Sequence, residues 1–189
     1  MARCNTAFCR LTRRCRRTGA PLAALPLAPV AERQYRYPDE PMERAVVVVG
    51  TSAARIEVRP LMRSHAGATD YWDGNWIDCL ITAAAGGFRA EYTACLRAEE
   101  LAGFRRDLER LYEELEGRGG FKSIEEWLTI EVIGDGRGHF RGPCRLRDRA
   151  GDGNTLLFDI EFDEADIPAM IDQMRRIESD FPVVGSPAA

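Results

Sequence analysis

Hydrophobic and polar residues alternate in several short runs from residue 45 onward. Such alternation is typical of β-strands with one buried face, because successive side chains of a strand point to opposite faces. Glycine-containing turns at 86–87, 134–138 and 150–154 separate neighbouring runs and indicate antiparallel hairpins. The predicted strands lie at 45–49, 55–59, 75–83, 88–96, 128–132, 140–146 and 156–162.

Two of these runs carry further information. The run at 75–83 is apolar at Ile77, Cys79 and Ile81, but Trp76 and Leu80 make its second face apolar as well. It is therefore expected to be a central strand covered on both sides. Pro60 follows the run at 55–59 and predicts a disturbance of the ladder there, because proline cannot donate a backbone hydrogen bond.

Hydrophobic residues recur every three or four positions in two segments, which predicts helices at about 98–116 and 166–179. Gly117 is expected to end the first helix, while Asp166 is expected to cap the second, with Pro168 in its first turn. The predicted fold is α+β, an antiparallel sheet of about six or seven strands packed with two helices. No internal sequence repeat is visible.

The last predicted hairpin has complementary charges on its outward face. Arginines alternate along one strand and acidic residues along the next. With the turn centred near residue 152, Arg145 would lie opposite Asp159 and Arg141 opposite Asp163.

The charge divides the chain into two parts. Residues 1–41 contain eight arginines and three acidic residues, a net charge of +5, whereas the other 148 residues contain 18 basic and 27 acidic residues, a net charge of −9. The first part lacks a hydrophobic period and is rich in arginine and proline, so it is predicted to be a disordered or non-native extension. A single α+β domain is predicted over 42–183, followed by a frayed tail over 184–189.

Three other interpretations of residues 1–41 stay open. Clustered arginines favour binding to nucleic acid or anionic lipid. Translation beginning at Met42 would remove the segment altogether. A basic leader followed by an apolar stretch also resembles a secretory signal, although Pro21, Pro26 and Pro29 interrupt the apolar part.

The sequence offers little for metal or cofactor chemistry. The cysteines are dispersed, and His65 and His139 stand at no metal-ligand spacing. The turn at 134–138 precedes a strand instead of a helix, so it lacks a phosphate-binding helix N-terminus. The acid-rich turn at 148–154 misses the spacing of an EF-hand loop. No cofactor, metal site or catalytic centre is predicted, and scattered cysteines favour reduced thiols in an intracellular protein.

Acidity is the first candidate for a functional signal. Seven acidic residues and no basic residue lie between Arg149 and Arg175. Such a surface repels nucleic acid and attracts a basic protein, although acidic surfaces are also common in proteins without such a partner. The candidate partner-binding residues are Asp159, Glu161, Asp163, Glu164 and Asp172.

An alternative candidate is the loop from Asp70 to Trp76, which combines tryptophans with carboxylates around a glycine. Such a loop could serve a small enzyme or a carbohydrate-binding module, or its tryptophans could simply anchor it to the core. The residues of this alternative are Asp70, Trp72, Asp73 and Trp76.

Three strings of the chain resemble the WapI family of bacterial immunity proteins, over about residues 55–183. They are Asp73-Gly74-Asn75-Trp76-Ile77 opening a strand, the helix Leu101–Leu115, and Leu157-Phe158…Phe162-Asp163 running into the last helix and Phe181-Pro182. The chain departs from the family's Asp-rich string between strand and helix, where it has Asp163-Glu164-Ala165-Asp166.

The resemblance implies a small cytoplasmic protein, not an enzyme, that binds and neutralises a polymorphic toxin, typically a tRNA-cleaving nuclease. An acidic body suits such a partner, because nucleases are basic where they hold phosphates. The expected partner is therefore a basic toxin domain, with no membrane and no nucleic acid bound. The resemblance implies no contact residues, and charge density alone selects the acidic candidates.

Overall fold

Two helices and eight strands make up the part of the chain that the computed structural model describes, residues 46–187. In order, they are β1 (Val47–Gly50), β2 (Ala54–Arg63), β3 (Trp76–Ala85), β4 (Phe88–Arg97), α1 (Ala98–Glu114), β5 (Glu116–Lys122), β6 (Leu128–Asp135), β7 (His139–Arg147), β8 (Thr155–Asp163) and α2 (Ile167–Asp180).

The strands form two antiparallel sheets with the orders β1-β2-β3-β4 and β5-β6-β7-β8. The predicted α+β class, with antiparallel strands and two helices, is confirmed. The sequence predicted a single sheet of about six or seven strands, whereas the structure has two sheets of four strands each. Four strands followed by a helix occur twice along the described chain, so the element order repeats where the sequence shows no repeat.

β3 has one buried face. Ile77, Cys79 and Ile81 are fully buried, whereas Trp76 and Leu80 on the other face are only half-buried. β3 is central, between β2 and β4, as predicted, but its second face is only partly covered. The expected disturbance at Pro60 is confirmed, because the register between β2 and β3 shifts between Pro60 and Met62.

β5 has no counterpart among the predicted strands, since Phe121 is its only buried residue. A Cβ on Gly120 would lie 2.1 Å from the carbonyl oxygen of Ile130, so the close approach of β5 to β6 requires glycine there. The predicted helix end at Gly117 is also wrong, because α1 ends at Glu114 and the next residue, Leu115, has a φ of 60°.

α1 packs on the core through a stripe that includes Leu101, Leu108 and Leu111. At its start, Arg97 N donates to Glu100 Oε2 at 3.1 Å, and Ile124 N donates to Glu100 Oε1 at 2.8 Å. Glu100 thereby connects the helix to the loop between β5 and β6. Burial raises the pKa of the Glu100 carboxyl.

α2 is preceded by a short 3-10 turn at Glu164–Asp166. Asp166 occupies the N-cap position of α2, as predicted, but its side chain accepts from Asp163 N at 3.0 Å and makes no bond in the first turn of α2. Pro168 lies in the first turn of α2, as expected. The predicted apolar stripe is confirmed, and its buried members are Ile167, Met170, Ile171, Met174 and Ile177.

Ion pairs join the two helices across their contact. Arg105 donates to Glu178 on α2 and to Glu109 on α1, each at 2.6 Å. Arg175 on α2 also donates to Glu109, at 2.9 Å. A network of partly exposed pairs holds the helices in register more effectively than a single surface pair.

One core cluster joins the inner faces of both sheets and the apolar stripes of both helices. Phe140 and Phe162 stack there with ring centroids 5.6 Å apart. The cysteines of the described residues are free thiols, two of them buried. Burial raises the pKa of Cys144 to about 12, so this thiol packs as a small apolar side chain.

The predicted extension at 1–41 lies outside the described residues, as do Cys4, Cys9 and Cys15, and the domain boundaries stay predictions. At the other end, Val184 exchanges hydrogen bonds with Asn75, which hold the C-terminal segment at this residue. Neither described helix has the length and apolarity needed to cross a membrane.

Candidate functional site

Three of the acidic candidate residues project from one face of β8. Asp159, Glu161 and Asp163 are exposed, while Ile160 and Phe162 between them are buried in the core. The alternation of a strand places the three carboxylates on the outward face of the second sheet. β8 is an edge strand, with β7 as its neighbour in the sheet.

The register of the β7–β8 hairpin differs from the prediction by two residues. Arg141 lies opposite Glu161, His139 opposite Asp163, and Arg145 opposite Leu157. The predicted pairs of Arg145 with Asp159 and Arg141 with Asp163 are therefore wrong. A two-residue shift keeps every side chain on its predicted face, because the side-chain period of a strand is two.

The turn explains this shift. Asp148 accepts two hydrogen bonds from Asn154, one from its backbone N at 2.7 Å and one from Nδ2 at 2.8 Å. These bonds join residue 148 to residue 154, so the hairpin is centred at residue 151 and not near residue 152, which changes every cross-strand partner by two residues. The bond from the Asn154 side chain also holds the pKa of Asp148 below its usual range.

A histidine and a carboxylate form the closest polar contact on this face. His139 Nδ1 lies 2.7 Å from Asp163 Oδ1, and both side chains are exposed. The hydrogen bond to Asp163 raises the pKa of His139. Nearby, Asp135 accepts from the backbone N of Arg137 at 2.7 Å and of His139 at 3.2 Å, and these bonds lower the pKa of Asp135.

These residues line a shallow cleft of about 540 Å³ at one end of the second sheet. Its charged lining residues are Asp135, His139, Arg141, Glu161 and Asp163. Sequence reasoning did not include His139 and Arg141 in the site. The sequence pattern could have identified them, because His139 and Arg141 alternate with buried Phe140 and so share the outward face of β7.

The other two acidic candidates lie in different places. Glu164 begins the turn before α2, and its backbone N donates to the carbonyl of Gly138 at 2.8 Å, at the same end of the hairpin as His139. Asp172 lies on α2 and pairs with Arg175 at 3.3 Å. It lines a groove between the helices together with Glu109 and Tyr112, not the cleft on the sheet.

In the part of the chain that the structure describes, no three His, Cys, Asp or Glu residues come close enough to hold a metal ion. The cleft instead presents alternating acidic and basic groups on an open sheet surface. Such an arrangement suits recognition of another macromolecule by charge and hydrogen bonding.

In the alternative loop, Asp70 supports the backbone. Its Oδ1 accepts from the backbone N of Trp72 and of Asp73, each at 2.9 Å. The bond from Asp73, the larger effect, and the bond from Trp72 lower the pKa of Asp70. A general acid needs a raised pKa, so this carboxyl is not tuned for that role. The Asp73 side chain is exposed.

The aromatic side chains of the loop surround a buried arginine. Arg97 is 5% exposed, and its guanidinium lies 5.3 Å from the ring centroid of Tyr71, 5.7 Å from that of Trp72 and 5.0 Å from that of Trp76. It also donates to the carbonyls of Trp72 at 2.9 Å and Tyr71 at 3.0 Å. The arginine therefore lies within 6 Å of all three ring centroids, although the Trp72 side chain stays 60% exposed.

Asn75 fixes the same loop to the end of the chain. It is fully buried, and its Nδ2 donates to the carbonyls of Tyr71 and Val184, both at 2.9 Å. Its Oδ1 accepts from Val184 N at 2.9 Å. The segment from Asp70 to Trp76 therefore anchors both itself and the C-terminal segment to the first sheet.

Comparison with known proteins gives one family match. The model of the immunity protein WapI-like family matches residues 48–182. No curated protein sequence matches the chain. Among solved structures, one described as the plant transcriptional regulator PBF-2 aligns with 77% of this chain and 84% of that chain, at 13% identity and a TM-score of 0.43. A structural similarity of this size supports no argument about function.

Proposed function

This chain belongs to the WapI-like family of immunity proteins, and on that premise we propose that it binds and neutralises a polymorphic toxin domain in the cytoplasm. The family match over residues 48–182 is the observation that carries the proposal. Neutralisation in this scheme is a binding event in which the immunity protein covers the toxin's functional surface, with no catalytic step of its own.

The proposed contact surface is the outward face of β8 with the adjoining end of β7. Asp159, Glu161 and Asp163 are exposed there, and two of them line the cleft beside Arg141. Carboxylates in a row on a rigid strand can face a row of lysines or arginines without losing much conformational freedom on binding. The nearby arginine and histidine add positions at which the partner must present an acceptor, which favours specificity.

A nuclease is the toxin class that this charge distribution favours. Nucleases carry basic residues where they hold phosphate groups, and an acidic strand can occupy that site in place of the nucleic acid. The net charge of −9 outside residues 1–41 accelerates association with a basic partner and opposes binding to nucleic acid.

The test is co-expression of the full-length chain with the toxin domain encoded beside its gene. We expect rescue of growth and a complex in pull-down. The triple variant Asp159→Asn/Glu161→Gln/Asp163→Asn should bind the toxin at least ~10-fold more weakly than wild type. The difference in affinity should be larger at low salt than at high salt.

A matched control removes the same number of charges elsewhere. Glu113, Glu125 and Asp180 are exposed and lie outside the second sheet's outward face. The variant Glu113→Gln/Glu125→Gln/Asp180→Asn should bind within about twofold of wild type, apart from a small change in association rate. Absence of both rescue and complex contradicts the immunity function. Equal weakening in the two triple variants contradicts the β8 contact surface alone.

A further inference from the structure

β4 is an edge strand whose first half has open hydrogen-bonding groups. It pairs with β3 on one side, and a two-residue turn at Gly86-Gly87 places Phe88 opposite Ala85. The residues that close such a turn bond to each other, and bonded pairs then alternate along the ladder. The backbone groups of Arg89, Glu91 and Thr93 therefore point away from β3.

Two other edges are covered by helix side chains. On β1, Val48 N donates to Gln173 Oε1 of α2 at 3.0 Å, and on β5, Gly120 N donates to Asp107 Oδ2 of α1 at 3.0 Å. Among the described residues, nothing bonds to the backbone N of Arg89, Glu91 or Thr93. This half of β4 also lacks the proline or bulge with which proteins often protect an edge.

The side chains of this edge include an exposed aromatic ring. Phe88 is 69% exposed. Phe88 lines one part of a groove of about 340 Å³, and the rest of its apolar lining comes from Ala90 and Tyr92 of β4 and from Leu146 and Leu156 of the second sheet. The opposite face of the same edge carries Arg89 and Glu91, both exposed.

We propose that two copies of this chain associate by pairing β4 with β4 in antiparallel fashion about a twofold axis at Ala90. In this register Arg89 of each copy lies opposite Glu91 of the other, and Phe88 of each copy lies opposite Tyr92 of the other. Phe88 then enters the groove of the second copy. The first sheets of the two copies become one continuous eight-stranded sheet, since each contributes four strands.

The charges select this register over its neighbours. Because the outward backbone groups belong to odd-numbered residues, successive allowed axes differ by one residue. An axis at Arg89 would place arginine opposite arginine, and an axis at Glu91 would place glutamate opposite glutamate. Only the axis at Ala90 forms two opposite-charge pairs, and like charges directly opposite each other destabilise a strand pair.

The first experiment is a charge swap, read by analytical ultracentrifugation of the full-length chain at a series of concentrations. Wild type should dimerise reversibly. Arg89→Glu creates two Glu–Glu contacts and should weaken the dimer ~10-fold or more, and Glu91→Arg should do the same through two Arg–Arg contacts. The double variant Arg89→Glu/Glu91→Arg restores both opposite-charge pairs and should dimerise within a few-fold of wild type.

A second experiment tests the register. Across a non-hydrogen-bonded pair the Cα atoms are about 4.5 Å apart, which permits a disulfide. Ala90→Cys should therefore give a covalent dimer when oxidised with glutathione disulfide. Thr93→Cys is the matched control, because in this register the two copies of residue 93 are separated by about six residues, roughly 20 Å. It should give no more covalent dimer than wild type, which contains the native cysteines.

Two outcomes would contradict the proposed dimer, and a third would contradict its register. A wild-type chain that stays monomeric up to about 100 μM contradicts the proposal, because specific interfaces typically bind more tightly than that. A dimer that survives both single charge reversals uses another surface and also contradicts it. Equal crosslinking of the Ala90→Cys and Thr93→Cys variants contradicts the register. Circular dichroism of each variant identifies one that has failed to fold.

Discussion

Arg97 and Trp76 face each other across β4 and β3, with the guanidinium of Arg97 5.0 Å from the centroid of the Trp76 ring. The pair lies where the loop before β3 meets the start of α1. A charge this deeply buried is tolerable because Arg97 forms an ion pair with Glu99, and aromatic faces and backbone carbonyls surround the rest of its guanidinium. The buried Arg97 therefore holds the loop before β3 against the first sheet.

Arg97→Ala should therefore destabilise the protein. The substitution removes the bonds to the carbonyls of Trp72 and Tyr71 and leaves those acceptors facing a cavity. We expect a loss of about 2–4 kcal/mol in the free energy of unfolding, measured by urea denaturation. Arg59→Ala removes an exposed arginine of β2 and serves as the control, with an expected change within about 0.5 kcal/mol. Similar losses in the two variants would contradict this role.

Asn75 should couple energetically to the C-terminal segment. Asn75→Ala removes three hydrogen bonds, two of them to Val184, and should cost about 2–3 kcal/mol. Deletion of residues 183–189 should cost less, because Tyr71 keeps its bond to Asn75. The two changes share the Asn75–Val184 bonds, so their combined cost should be smaller than the sum of the separate costs by about 1 kcal/mol. Additive costs would show that the segment and the loop are independent.

Two glycine substitutions should have opposite signs. A Cβ on Gly142 would lie 1.9 Å from the carbonyl oxygen of Glu131, in the middle of the second sheet, so Gly142→Ala should cost more than about 3 kcal/mol or prevent folding. A Cβ on Gly103 of α1 would meet nothing closer than 3.9 Å, so Gly103→Ala should stabilise the helix by about 0.5–1 kcal/mol. Thermal unfolding distinguishes the two, and a stable Gly142→Ala variant would contradict this account of the β6–β7 contact.

Local sequence pattern predicted both helices and the buried faces of most strands. The stripe at Leu101, Leu108 and Leu111 has the helical period, and Ile77, Cys79 and Ile81 alternate as in a strand. In each case the side chains that repeat are the ones the core buries. β5 escaped detection because its strand geometry comes from pairing with β6 and from glycine at the contact, not from its own hydrophobicity.

Pairing between distant strands could not be predicted from periodicity. β4 and β5 are separated by α1, and the pattern of apolar and polar residues in the two strands does not indicate that they belong to different sheets. The candidate site shows the same limit at smaller scale. Alternation placed Asp163 and Glu161 correctly on an outward face, but their partners, His139 and Arg141, depend on a register that the Asp148–Asn154 bonds determine.

His139 should titrate as a partner of Asp163. Because their hydrogen bond raises the pKa of His139 above its ordinary value of 6.5, the stabilisation from the pair is fully present below pH 6.5 and is lost as the pH rises through the pKa in the folded protein. NMR titration should give a raised pKa of His139 in wild type and a lower pKa in Asp163→Asn, where only the weaker attraction of Asp135 still raises it. Asp159→Asn removes a carboxylate from the same strand without contacting His139, and it should leave most of the shift in place. A pKa of His139 that is unchanged by Asp163→Asn would contradict the pairing.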